Sequence, residues 1–180
     1  MPILQDKKIL LTGLLSNRSI AFGIGKALKR EGATLAFTYA GEGMRERVEK
    51  LAPELGGGLI MSMDVTKQDE IDSVFSKLGS EWGGVDGVVH SIGYAPRDAI
   101  TGDFLDGLSR SSFMTAMDIS AYSFAALGKA ARPLMKGRNG ALLTLSYLGA
   151  VRSVPNYNTM GVAKAALEAN VRYMAATLGP

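Results

Sequence analysis

Five short apolar runs with little polar alternation punctuate the chain: Lys8 to Thr12, Thr34 to Tyr39, Leu59 to Met63, Val85 to His90 and Ala141 to Ser146. A strand covered on one face alternates apolar and polar positions. One covered on both faces reads as a continuous apolar run, so these five predict buried strands of a parallel sheet. Between them, apolar positions recur with helical spacing over Ile20 to Arg30, Glu42 to Leu55, Gln68 to Trp82 and Phe113 to Met135. A last stretch, Tyr157 to Leu178, is rich in helix formers, interrupted only by Gly161 and bounded by Pro155 and Gly179-Pro180, and it predicts a long final helix. Right-handed crossovers between parallel strands place such helices on both faces. The expected fold is α/β, a Rossmann-type doubly wound parallel sheet with helices on both faces, with residues 1–180 forming a single domain.

Composition narrows the chemistry. The 180 residues are 47% hydrophobic, enough for one sizeable core, and contain no cysteine, which excludes disulfides, thiolate nucleophiles and cysteine-bound metals and suits a reducing cytoplasm. The start MPILQDKKILLTG lacks the form of a signal peptide, and no apolar stretch is long enough to span a membrane. Twenty Lys and Arg against 17 Asp and Glu leave a net charge of +3 with the basic residues scattered, which suggests no nucleic acid. A mildly basic surface favours encounter with an acidic partner.

After the first predicted strand the chain runs Thr12-Gly13-Leu14-Leu15-Ser16-Asn17-Arg18-Ser19-Ile20-Ala21-Phe22-Gly23-Ile24-Gly25. A turn of small and polar residues opening a helix is where a pyrophosphate binds, on backbone N–H groups at the positive end of the helix dipole. The fit to Gly-x-Gly-x-x-Gly is interrupted by an insert after Gly13, and Gly23 and Gly25 can equally serve to seat the helix on the sheet. The second strand ends Phe37-Thr38-Tyr39-Ala40-Gly41-Glu42, without the carboxylate that would grip adenosine ribose hydroxyls. Arg45 and Arg47 read as phosphate ligands or as solvated helix surface, so these residues leave NADH and NADPH undecided. Asp64, at the end of the third strand, suits either an adenine amino group or a helix N-cap. Gly93, in Ser91-Ile92-Gly93 at the end of the fourth, lets the chain pass close to a ribose. His90, the only histidine, reads as a packed or hydrogen-bonded core residue rather than a base.

The fifth run closes in Leu143-Thr144-Leu145-Ser146-Tyr147, and the last helix opens Tyr157-Asn158-Thr159-Met160-Gly161-Val162-Ala163-Lys164. Seven residues at about 100° each bring Tyr157 and Lys164 to nearly the same helix face, two turns apart. A free tyrosine is a poor acid at neutral pH, and a nearby ammonium is expected to favour its phenolate and ease sharing of the proton. The lysine can also bond a nicotinamide ribose.

Four motifs together are specific: Gly13 with Ser19-Ile20-Ala21; His90-Ser91-Ile92-Gly93 with Ala95-Pro96; Leu142 to Gly149; and Pro155-Asn156-Tyr157-Asn158-x-Met160-Gly161-x-Ala163-Lys164. By them the chain resembles, along its length, the enoyl-acyl-carrier-protein reductases of bacterial type II fatty-acid synthesis. These are a divergent branch of the short-chain dehydrogenase/reductase superfamily, whose ordinary members place Tyr and Lys four apart. The resemblance implies catalysis by Tyr157 and Lys164, with Tyr147 beside the substrate and Ala95 contributing backbone to a thioester site. It also implies a nicotinamide cofactor, NADH with NADPH left open, lined by Gly13, Ser19, Ile20, Ala40, Asp64, Val65, Ile92, Gly93 and Lys164. The implied reaction reduces a trans-2-enoyl thioester on an acyl-carrier protein. The implied assembly is a homotetramer, which the surplus small and apolar residues of the two long helices suit. Family members are longer, so the resemblance also implies that C-terminal strands, a sixth and a seventh, and a substrate-covering segment are missing from residues 1–180, leaving an apolar edge at the fifth strand. A carbonyl reductase of the same superfamily and a non-catalytic dinucleotide-binding module are the alternatives.

Overall fold

The computed structural model describes residues 2–179. In chain order the elements are β1 (Lys8–Leu11), α1 (Ile20–Arg30), β2 (Thr34–Tyr39), α2 (Glu42–Leu51), β3 (Leu59–Ser62), α3 (Gln68–Trp82), β4 (Gly87–His90), α4 (Arg110–Met117), α5 (Ser123–Met135), β5 (Ala141–Thr144) and α6 (Asn158–Leu178). The strands form one parallel sheet in the order β3-β2-β1-β4-β5, with Leu10 of β1 in register with Ala36 of β2 and Val88 of β4. The order reverses between β1 and β4, the point at which doubly wound sheets bind ligands outside the carboxyl ends of their strands.

Two helix boundaries differ from the sequence expectation, each for a local reason. The stretch expected to be helical from Glu42 to Leu55 leaves α-helical geometry after Leu51 and finishes as a 3₁₀ turn, Ala52–Leu55, containing Pro53. Proline lacks the N–H and crowds the carbonyl four residues back, so the ladder cannot continue through it. The helix expected from Phe113 starts at Arg110, because the Ser109 hydroxyl accepts from the N–H of Ser112 at 3.1 Å. Between α4 and α5 it widens into a π-turn, Asp118–Tyr122, an insertion that hydropathy spacing does not reveal.

The chain groups into two compact units, each discontinuous in sequence: Met1–Ser91 with Leu127–Thr144, and Ile92–Ala126 with Leu145–Pro180. The first holds the whole sheet. Strand residues of one parity, Ile9, Leu11, Leu35, Phe37 and Val89, pack with Ala21 and Phe22 of α1 and Val48 of α2. On α3 the buried residues are Ile71, Val74, Phe75 and Leu78. Gly79 of α3 lies so near Leu134 of α5 that a Cβ would come within 3.2 Å of it. The edge strand β5 keeps Leu143 about half exposed, the apolar edge expected of a sheet whose order ends there. The second unit has its own small core of Ala95, Ala116, Met160 and Ala163, against which Ile100, Met117 and Tyr157 pack.

At the amino ends of the strands, Asp86 ties the starts of β1, β4 and β5 together. Its buried carboxylate accepts from the Lys8 N–H at 2.9 Å, from Arg138 at 3.0 and 3.3 Å, and from Lys7 at 3.4 Å. Desolvation pushes this carboxyl up, but Arg138, the Lys8 N–H and Lys7 together outweigh it and hold the group below the usual carboxylate range. A depressed carboxyl contributes stability above its unfolded value of about 3.9 and loses it as pH falls through the folded value beneath. Asp86→Asn is therefore expected to lower unfolding free energy by about 2 kcal/mol at neutral pH, and by progressively less in strong acid. Urea denaturation of both proteins at pH 7 and pH 3 checks this, and equal losses at the two pH values would contradict it.

Candidate active site

Gly13 leaves β1 with φ +75°, and a Cβ built on it would lie 1.9 Å from the Ser91 carbonyl oxygen just beyond β4. Backbone meets backbone there, so only glycine fits. Thr12 reinforces the approach: its hydroxyl donates to the Val89 carbonyl at 3.0 Å and accepts from the Ser91 N–H at 3.2 Å. Six residues on, Ser19 is the N-cap of α1, accepting from the Phe22 N–H at 3.2 Å and donating to the Ser16 carbonyl at 2.7 Å. No acidic side chain occupies the first turn of α1, and Ile20 is exposed. Such a helix N-terminus suits an anion. The two later glycines separate in role. Gly25 seats the helix, since a Cβ there would meet Leu55 at 2.8 Å and Leu11 at 3.0 Å, whereas Gly23 faces open space.

Beyond β2, Ala40 is exposed and Arg45 is held on its own helix by Glu49 at 2.9 Å and Glu42 at 3.8 Å. Of the two readings of Arg45, this is the solvated helix surface. Beyond β3, Asp64 accepts from the N–H of Thr66 at 3.0 Å and from its hydroxyl at 2.7 Å. Those bonds, the backbone one foremost, hold the carboxyl below its usual range. The N-cap of α3 is Lys67, so Asp64 closes an Asx turn rather than capping the helix. Val65 beside it is buried. His90 is wholly buried, with Nδ1 2.8 Å from the Thr144 hydroxyl, as expected of a hydrogen-bonded core residue.

In the second unit, Tyr157 is the residue before α6, its ring 4.7 Å from that of Tyr147 between centroids and inclined at 59°. Ala95 lies in the small core against which Tyr157 packs. Lys164, two turns along α6, is buried and donates to the Leu145 carbonyl at 2.6 Å. A Cβ on Gly93 would lie 3.6 Å from its Nζ. Burial pulls the ammonium below its usual range. Tyr157 departs from the sequence expectation: its phenol is pushed up, first by desolvation and then by Tyr147. Lys164 donates instead to the Leu145 carbonyl, and the Tyr157 ring packs on the small apolar core. At neutral pH the group is a protonated hydrogen-bond donor, not an incipient phenolate.

Several supporting residues escape a reading of the sequence. Ser120, buried in the π-turn, accepts from the Tyr94 N–H at 2.8 Å and donates to the Tyr94 carbonyl at 2.9 Å, fixing the chain next to Gly93. Gly149 lets the Tyr157 ring lie against the backbone, since a Cβ there would fall 2.3 Å from Cδ1 of that ring. Only Gly149, within Leu142 to Gly149, left a trace in the motifs.

The chain is similar to known proteins along nearly its whole length. The family model of enoyl-(acyl carrier protein) reductase matches residues 13–180. The chain is 59% identical over 179 residues to the enoyl-acyl-carrier-protein reductase (NADH) FabI of Neisseria meningitidis serogroup B, covering 99% of this chain and 69% of that protein. The crystal structure of enoyl-acyl-carrier-protein reductase (NADH) from Aquifex aeolicus superposes with a TM-score of 0.95 at 48% identity, over 98% of this chain and 69% of that one. That of the Anaplasma phagocytophilum reductase in complex with NAD gives 0.94 at 43%, over 98% and 67%.

Proposed function

The chain belongs to the enoyl-(acyl carrier protein) reductase family, and from that membership we propose that it reduces the trans-2 double bond of enoyl thioesters carried on acyl-carrier protein, with NADH, in fatty-acid synthesis. The observation that carries the reading is Tyr157: a protonated phenol in an apolar setting, beside Tyr147 and Ala95 and two turns from a buried lysine.

The residues fit the cofactor. Gly13 opens a turn that a Cβ would block, and α1 offers an N-terminus free of acidic side chains to a pyrophosphate. Ser19, Ile20, Ala40, Asp64 and Val65, all beyond the carboxyl ends of β1, β2 and β3, are assigned to the adenosine and phosphate portions. Ile92, Gly93 and Lys164 are assigned to the nicotinamide ribose. When bound, the reduced nicotinamide supplies a hydride to C3 of the substrate. Tyr157 donates its hydroxyl to the thioester carbonyl oxygen and stabilises the enolate that forms, after which protonation at C2 completes the reduction. Tyr147 orients the acyl group from its ring face, and Ala95 contributes backbone to the thioester site. Lys164 binds through its ammonium and adds positive charge near the developing oxyanion.

The proposed partner is the acidic carrier protein. Among the described residues no helix is long and apolar enough to cross a membrane, and we assign the work to the cytoplasm. Exposed Met114, Tyr122, Val171 and Tyr173, on and beside the long helices, support a homotetramer.

The test is loss of nicotinamide absorbance when the purified chain meets a crotonyl thioester and NADH. Turnover of the thioester, with none on simple ketones, is the expected result. Reduction of ketones instead, or NADH binding without any turnover, would overturn the reading.

A further inference from the structure

Two asparagines flank Tyr157, and both carry left-handed backbones, with φ 59° at Asn156 and 36° at Asn158. Asparagine tolerates that region better than other residues with a Cβ, yet two such positions around one tyrosine need a cause. Both side chains reach the same residue. The Gly102 N–H donates to Asn156 Oδ1 at 3.0 Å, and Asn158 Nδ2 donates to the Gly102 carbonyl at 3.1 Å. The partners settle which amide atom is which, because an N–H requires an oxygen and a carbonyl requires an N–H. Gly102 turns with φ +71°, in the loop that follows the short 3₁₀ turn Asp98–Ile100. Both hydrogen-bonding groups of one loop residue are thus taken by the side chains immediately before and after Tyr157. The ring itself is confined by Gly149, Tyr147 and the small core around Ala95.

We propose that Asn156 and Asn158 are positioning residues for the reduction, forming a bracket on Gly102 that fixes the direction in which Tyr157 presents its hydroxyl. The inference rests on the assignment of Tyr157 above. A donor that acts on an oxygen only as charge develops must be aimed beforehand, and a misplacement of about 1 Å costs on the order of 100-fold in rate.

The experiment separates hydrogen bonding from backbone freedom. Asn156→Gly and Asn158→Gly keep the left-handed backbone accessible and remove one bond each, whereas Asn156→Asp keeps the acceptor that Gly102 needs. With the crotonyl thioester, each glycine variant is expected to lose about 10- to 100-fold in kcat with KM for NADH unchanged, and Asn156→Asp to recover to within about threefold of the parent. A glycine variant at parental kcat, a matching rise in KM for NADH, or an aspartate variant no better than glycine overturns the bracket. Absence of turnover in the parent would instead count against the assigned reaction, and the bracket would then be judged by titration. Tyrosinate absorbance of each protein, less that of the same protein carrying Tyr157→Phe, is expected to place Tyr157 above its ordinary value of about 10 in the parent and nearer to it in the glycine variants. Identical titrations would overturn the proposal.

Discussion

Turnover of a crotonyl thioester is expected to fall by at least about 100-fold when Tyr157 is replaced by phenylalanine, with NADH binding nearly unchanged. The substitution removes one oxygen and leaves the ring that packs against Ala95, Met160 and Tyr147, so neither the small core nor the start of α6 loses contact area. Only the donor assigned to the substrate oxygen disappears. The pH dependence supplies a second signature. Because desolvation and Tyr147 raise the phenol above its ordinary value, the parent keeps a protonated donor throughout the neutral range, and kcat/KM is expected to stay level there and decline only on the far alkaline side. In a variant lacking the phenol, only the deprotonation of Lys164 remains to shape an alkaline limb. Steady-state rates from pH 6 to pH 10.5 check both points. A parental profile that rises toward alkaline pH would mean that the phenolate is the working form, contrary to the environment of this residue.

That expectation differs from the one the sequence supports, and the difference shows what spacing can carry. A spacing of seven positions from Tyr157 to Lys164 places both near one helix face, and the observed helix, starting at Asn158, agrees to within one residue. Spacing carries direction but not partners. The state of the phenol depends on what surrounds both groups: burial and Tyr147 raise it, while Lys164 donates to the Leu145 carbonyl, nineteen residues away and 2.6 Å from Nζ. The sheet was legible because its inner strands β1, β2 and β4 are buried on both faces and so read as apolar runs. The Asn156 and Asn158 bracket was not, since its other half is the backbone of Gly102, and a backbone acceptor has no residue type to recognise. The π-turn at Asp118–Tyr122 and the Ser120 clamp on Tyr94 escaped for the same reason. Of the two accounts of Asp64, the helix N-cap gives way to an Asx turn, because α3 begins at Gln68 with Lys67 as its N-cap.

Lys164→Met is expected to weaken NADH binding by about 10- to 100-fold, the loss of one charged hydrogen bond to the cofactor, without lowering the stability of the protein. The ammonium is buried, and the hydrogen bond to Leu145 only partly offsets its removal from water, which is why its protonation equilibrium is shifted toward the neutral amine. Methionine keeps the length and apolar stem of the side chain and removes the charge. The sign of the pH effect follows from linkage. A lysine whose folded value lies below its unfolded value of about 10.4 binds fewer protons when folded, so between those two values its contribution to stability rises with pH. Below that window the parent bears the whole cost of a buried ammonium, and the methionine variant bears none. Thermal unfolding of the two proteins from pH 7 to pH 10.5 is therefore expected to show the variant at least as stable at neutral pH, with the parent gaining on it as pH rises. Isothermal titration with NADH supplies the other half. Unchanged affinity would remove Lys164 from the cofactor site, whereas a large loss of stability at neutral pH would make the Leu145 contact, rather than the cofactor, the reason for a lysine at this position.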